Sequence, residues 1–112
     1  MHELSLARSI EAIVWRVAGE RAVSVVELDV GELRQVVPET LEACWGMLCA
    51  GTPLSGSRLE VRRIPGVIHC LECGTETRLG SAPILRCNSC AKQSVEIVSG
   101  EEFMVTAVQL EE

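Results

Sequence analysis

Four cysteines constrain this chain more than any other feature. Cys70-Leu71-Glu72-Cys73 and Cys87-Asn88-Ser89-Cys90 read as C-x2-C, thirteen residues, C-x2-C. Two such knuckles can bring four thiolates to one tetrahedral point, and Zn2+ favours that geometry and that soft donor. Four protein ligands leave no open position for a substrate, so the ion expected here is structural. Iron or a thiol–disulfide pair are the other uses of the motif. A redox C-x2-C normally follows a βαβ pattern with one reactive pair, and two matched pairs argue against it. Gly74, directly after the second cysteine, suits a tight knuckle turn. The stretch from 67 to about 94 holds these cysteines, Gly74, Gly80 and Pro83, with little apolar periodicity. It cannot bury enough surface to fold by itself, and metal binding supplies the missing free energy. His69, beside Cys70, reads either as a loop histidine behind the ligands or as a ligand able to replace a thiolate.

The flanking sequence reads as regular structure. Leu4, Ala7, Ile10, Ile13, Val14 and Val17 recur at helical spacing and predict a helix from Glu3 to about Ala18, stopped by Gly19. Val23 to Leu33 alternates, with Val26, Leu28 and Val30 on one face, and predicts a half-buried strand. Pro38 suits the first position of a second helix, with Leu41, Cys44, Trp45 and Leu48 inward and Gly51 and Pro53 ending it. Cys44 is expected in the core, and Cys49 as structural too. Arg58 to Ile64 reads as a second strand and Phe103 to Leu110 as a third. Strand, helix, strand implies a right-handed crossover and a parallel pair. The expected fold is α+β: two helices on a small three-stranded mixed sheet, with a four-cysteine zinc-ribbon-like domain inserted. The main domain takes residues 1–65 and 98–112, and the zinc domain 66–97.

Composition excludes several functions. The chain has 112 residues and a formal net charge of −6, and nine of its ten basic residues are arginine. That balance lacks the electrostatic footprint of a nucleic-acid binder, and the zinc segment has no aromatic residue for stacking bases. No apolar run approaches the ~18 residues of a membrane span, and the N-terminus has no secretory pattern. A cytosolic protein is expected, with neither nucleic acid nor membrane as a partner. With only two histidines there is no Ser-His-Asp candidate, and no phosphate loop and no paired carboxylates in a marked cleft are seen, so no enzyme is expected.

The start, Met1-His2-Glu3, brings three nitrogens together. The α-amine and the amide nitrogen of His2 can close a five-membered chelate ring, and the imidazole adds a six-membered one. The amide nitrogen or the carboxylate of Glu3 can fill a further position. Such nitrogen-rich sites favour Ni(II) or Cu(II). The large second residue implies that the initiator Met is kept. The plain alternative is that His2 merely precedes a helix and Glu3 merely favours its N-terminus.

Taken in order, Met1-His2-Glu3-Leu4-Ser5-Leu6-Ala7, Val30-Gly31-Glu32-Leu33, Val36-Val37-Pro38-Glu39, Gly51-Thr52-Pro53-Leu54 and the two C-x2-C knuckles resemble the HypA/HybF family over essentially the whole length. These are nickel metallochaperones for [NiFe]-hydrogenase maturation. The resemblance implies Ni(II), as cargo, on Met1, His2 and Glu3, through the terminal amine, the imidazole and backbone nitrogens. It implies structural Zn(II) on Cys70, Cys73, Cys87 and Cys90. It further implies delivery with a HypB-type GTPase to the hydrogenase large-subunit precursor, with urease maturation proteins as further partners in some bacteria, by a monomer or weak homodimer. The other reading of the cysteines alone is a zinc-ribbon adaptor that binds protein or nucleic acid.

Overall fold

The structure, a computed structural model, describes residues 2–80 and 84–111. Its elements follow in the order α1 (Glu3–Ala18), β1 (Val23–Gly31), a single 3-10 turn (Glu32–Arg34), α2 (Pro38–Cys49), β2 (Arg58–Ile64), β3 (Val67–Cys70), β4 (Glu76–Arg78), β5 (Val95–Ser99) and β6 (Phe103–Leu110). The chain divides into two compact units. The first holds Met1–Asp29, Val36–Arg62 and Met104–Glu112, and the second Val30–Gln35 and Arg63–Phe103.

In the first unit, α1 ends where the N–H of Gly19, at φ +62°, returns to the Trp15 carbonyl at 2.9 Å. The helix packs against α2. Its buried stripe is Glu3, Ala7, Ile10, Val14 and Ala18. This corrects the expected apolar face: Leu4, Ile13 and Val17 are 45%, 40% and 56% exposed. Apolar residues one position off that stripe turn outward. α2 opens with Pro38, whose missing N–H would have had no helical partner there. It buries Leu41, Trp45 and Cys49, at i, i+4 and i+8. Cys44 is only half-buried and Cys49 is the core residue, so Cys49 takes the fully buried place expected of Cys44. The Trp45 indole N–H donates to Ser57 Oγ at 2.9 Å.

The three-stranded mixed sheet has the order β2-β1-β6. Its β1–β6 pair is antiparallel: Ser24 Oγ donates to the Gln109 carbonyl at 3.1 Å and Thr106 Oγ1 to that of Glu27 at 3.2 Å. Val23, Val25, Val26 and Leu28 of β1 are buried. On the more open positions, Arg62 grips Asp29 side-on, with Nε and Nη2 at 2.9 and 2.8 Å from the two carboxylate oxygens.

The second unit contains a separate sheet of order β4-β3-β5, antiparallel throughout. These three short strands escape the sequence reading, because each is held by backbone pairing around the cysteines and has little apolar alternation of its own. The 3-10 turn belongs here too. Glu32 accepts the Gly66 N–H at 2.9 Å, and Leu33 N–H reaches the Gly100 carbonyl at 2.9 Å. Gly31 passes so close to Gly100 that a Cβ on it would fall 1.9 Å from the Gly100 oxygen, which excludes any side chain.

Candidate metal centres

The two knuckles are built alike. In the first, the N–H of Gly74 donates to the Cys70 carbonyl at 3.0 Å, while the N–H of Cys70 donates to Thr75 at 2.9 Å. In the second, the N–H of Ala91 donates to the Cys87 carbonyl at 3.0 Å, while the N–H of Cys87 donates to Lys92 at 3.0 Å. The residue after each second cysteine takes positive φ, +78° at Gly74 and +63° at Ala91. Backbone N–H groups also point at sulfur, from Cys73 to Cys70 Sγ at 3.5 Å and from Ser89 to Cys87 Sγ at 3.4 Å. Thr77 ties β4 to the second knuckle. Its buried hydroxyl donates to Asn88 Oδ1 at 3.1 Å and accepts the Asn88 N–H at 3.2 Å. Neither Thr75, which meets the Cys73 sulfur, nor Thr77, which meets Asn88, carried a sequence signal, since the backbone places both.

All four sulfurs lie within 4.8 Å of one another, with Cys70–Cys90 and Cys73–Cys87 at 3.6 Å. A disulfide needs about 2.05 Å, so these are not bonded pairs. A tetrahedron with bonds of ~2.3 Å has edges of about 3.8 Å, so the cluster fits a tetrahedral ion such as zinc. Protonation is uneven across it. The Thr75 hydroxyl and backbone, helped by Cys87, hold the Cys73 thiol down at about 6. The backbone at Lys92 favours the Cys90 thiolate, but burial and the Cys70 and Cys87 sulfurs outweigh it and push Cys90 up to about 11. Four thiolates at this spacing therefore need a cation, and binding one releases the remaining protons. Cys70 and Cys87 are buried, Cys90 is half-buried and Cys73 is exposed.

At the head of α1, Met1 lies outside the described residues. His2 is exposed at the N-cap, and its carbonyl accepts the Leu6 N–H at 3.0 Å. Glu3 is 3% exposed, and its Oε2 accepts the Val37 N–H at 3.2 Å, so the start of α1 is tied to the start of α2. Cys44 and Cys49 lie outside the sulfur cluster. Burial, with the charge of Glu11 adding to it, pushes the Cys49 thiol up to about 11, which makes it a neutral core group. His69 sits on β3, half-buried, and is not among the gathered ligand atoms. No described helix is long and apolar enough to cross a membrane.

Comparison with known proteins agrees with this geometry. Residues 1–110 match the family described as "Hydrogenase/urease nickel incorporation, metallochaperone, hypA". The hydrogenase maturation factor HypA of Trichodesmium erythraeum is 36% identical over 112 residues, covering 100% of this chain and 97% of that protein. The protein of the same name from Geobacter metallireducens is 36% identical over 111 residues, covering 99% and 100%. The solution structure of the Ni metallochaperone HypA from Helicobacter pylori has the same fold, with a TM-score of 0.66, 17% identity and 98% and 97% coverage.

Proposed function

The chain belongs to the HypA family of nickel metallochaperones for hydrogenase maturation, carriers and not enzymes, and on that premise we propose that it binds one Ni(II) at its N-terminus and hands it on. The nickel is cargo, held by the terminal amine of Met1, the imidazole and amide nitrogen of His2, and the amide nitrogen of Glu3. The observation that carries this reading is the exposed His2 at the head of a helix whose next residue is anchored to α2. An imidazole in solvent on a fixed helix end is presentable to a partner. The Glu3 carboxylate already accepts a backbone N–H, which favours its amide nitrogen over its carboxylate as the ligand.

Zinc on Cys70, Cys73, Cys87 and Cys90 has a structural role in this reading, supported by the closed four-sulfur set. In this reading the nickel site belongs to the first compact unit and the zinc site to the second. The recipient is the [NiFe]-hydrogenase large-subunit precursor in the cytoplasm, reached with a HypB-type GTPase, and urease maturation proteins are a second destination. Copper outcompetes nickel at nitrogen sites by intrinsic affinity, so partner recognition and metal availability supply the selectivity.

The test is a nickel titration of tag-free protein with an authentic N-terminus beside His2→Ala, with zinc measured in both. The expected result is one square-planar Ni(II) in the wild type, lost in His2→Ala with zinc retained. Equal nickel binding by the two proteins would overturn the N-terminal site.

A further inference from the structure

The two knuckles share one backbone plan but differ in exposure. Cys70 and Cys87, the first cysteine of each pair, are buried, and Cys90 is half-buried, but Cys73 is exposed. The whole tip around it, from Leu71 to Gly74, is exposed as well. Nothing stands within 4 Å of where a Cβ on Gly74 would lie, so the space beside Cys73 is open. In the second knuckle Ala91 puts a methyl group at the matching place after Cys90.

Cys73 also has a sulfur partner in reach. Its Sγ lies 3.6 Å from that of Cys87, across the cluster, and a disulfide sets two sulfurs about 2.05 Å apart. The other pair at 3.6 Å, Cys70 and Cys90, has no exposed member. Oxidation falls first on an accessible thiolate with a resolving cysteine beside it. Bound zinc keeps all four sulfurs deprotonated, so Cys73 needs no base to become a nucleophile. The chain's charge also selects the oxidant. With a net charge of −6 and Glu72 in the same exposed tip, anionic oxidants are repelled and a small uncharged one is not.

We propose that Cys73 is a modification site, at which hydrogen peroxide starts an oxidation that ends in a Cys73–Cys87 disulfide and the release of zinc. In the first step the Cys73 sulfur attacks one peroxide oxygen. An S–O bond forms, the O–O bond breaks and hydroxide leaves, so the sulfur loses two electrons and the peroxide gains them. In the second step the Cys87 thiolate attacks the Cys73 sulfur. An S–S bond forms, the S–O bond breaks and a second hydroxide leaves. Two protons from solvent turn both hydroxides into water. Cys70 and Cys90 are then the only ligands left, and two sulfurs do not close a four-coordinate site, so zinc is lost. A reducing thiol reverses the change by exchange at the disulfide. The inference rests on the zinc reading of the four sulfurs and uses no residue of the N-terminal nickel site.

The test treats the full chain, reduced and zinc-loaded, with hydrogen peroxide. A coloured chelator follows the zinc, and alkylation with mass spectrometry maps the cysteines. The expected result is one Cys73–Cys87 disulfide per zinc released, with dimedone trapping a sulfenic acid at Cys73. Dithiothreitol and added zinc should restore the starting state. Cys73→His keeps a ligand that zinc accepts in sites of three cysteines and one histidine, and should release zinc at least about tenfold more slowly. Cys44→Ser, outside the cluster, should match the wild type. Zinc content and the β3–β5 amide signals before peroxide report whether each variant is folded, and the wild-type map needs no variant. An untreated wild type without zinc would overturn the zinc reading and this inference together. Zinc that is present but leaves Cys73→His as fast as it leaves the wild type, or a first disulfide without Cys73, would overturn this inference alone.

Discussion

Ala91 occupies in the second knuckle the place that Gly74 occupies in the first. Both residues have positive φ, and both donate their N–H to the carbonyl of the first cysteine of their pair at 3.0 Å. The left-handed conformation is indifferent for glycine and unfavourable for alanine. Nothing stands within 4 Å of where a Cβ on Gly74 would lie, so the difference is conformational and not steric. Ala91→Gly should therefore stabilise the zinc-loaded protein, and Gly74→Ala should destabilise it, each by about 1 kcal/mol. Thermal unfolding at matched zinc checks the sign. Movement of both variants in the same direction would break the equivalence of the two knuckles.

The second unit should depend on its metal. Its strands have three to five residues, and the buried side chains among its described residues are few: Val30, Ile68, Cys70, Thr77, Leu79 and Cys87. Structural zinc contributes on the order of 10–16 kcal/mol in zinc-finger peptides, more than so small a core supplies. A strong chelator should collapse the amide dispersion of β3, β4 and β5 while the signals of α1 and α2 persist, and returned zinc should restore it. Two-dimensional amide spectra through the cycle test this. Persistence of the β3–β5 pattern in the stripped protein would contradict it.

How much of this was legible in the sequence depends on what holds each piece. α1, β2 and β6 fall on the expected residues, because their patterns coincide with their own burial or pairing. The four cysteines were legible because spacing alone defines a tetrahedral set. β3, β4 and β5 were not, since their order comes from backbone pairing and sulfur ligation. The stripe on α1 was read too broadly: Ile13 and Val17 have helical spacing with Ile10 and Val14 yet stay exposed. Hydrophobic periodicity reports which residues could be buried, and the helix face that packs on α2 sets which are. The strand expected to run to Leu33 ends at Gly31, and nothing in the pattern says that Glu32 accepts the Gly66 N–H.

The Trp45–Ser57 bond should show as coupling. Trp45 is 1% exposed, and its indole N–H has Ser57 Oγ as acceptor at 2.9 Å. Ser57→Ala leaves that N–H buried without an acceptor, a loss of about 1–3 kcal/mol. Trp45→Phe removes the donor, so adding Ser57→Ala to it should cost clearly less than adding it to the wild type. A double-mutant cycle by denaturant unfolding measures the difference, expected at about 0.5–1.5 kcal/mol. Additive effects would mean that the bond contributes nothing.

The Asp29–Arg62 pair should leave a mark on the acid side of the stability profile. The Arg62 guanidinium, by its hydrogen bonds and then its charge, holds the Asp29 carboxyl below its ordinary value of 3.8, against a partly opposing effect of burial. A carboxyl with a lowered folded pKa stabilises the fold above its unfolded value, and that stabilisation is lost as the pH falls through the folded one. Arg62→Gln should therefore be less stable than wild type at about pH 6, and the gap should close toward about pH 2 as Asp29 takes up its proton. Arg62 is 73% exposed on its side chain, so added salt should narrow the gap at the higher pH as well. Denaturant midpoints of both proteins across this range provide the check. A gap that stayed constant down to the lowest pH would assign the effect of Arg62 to packing of its aliphatic stem and not to its charge.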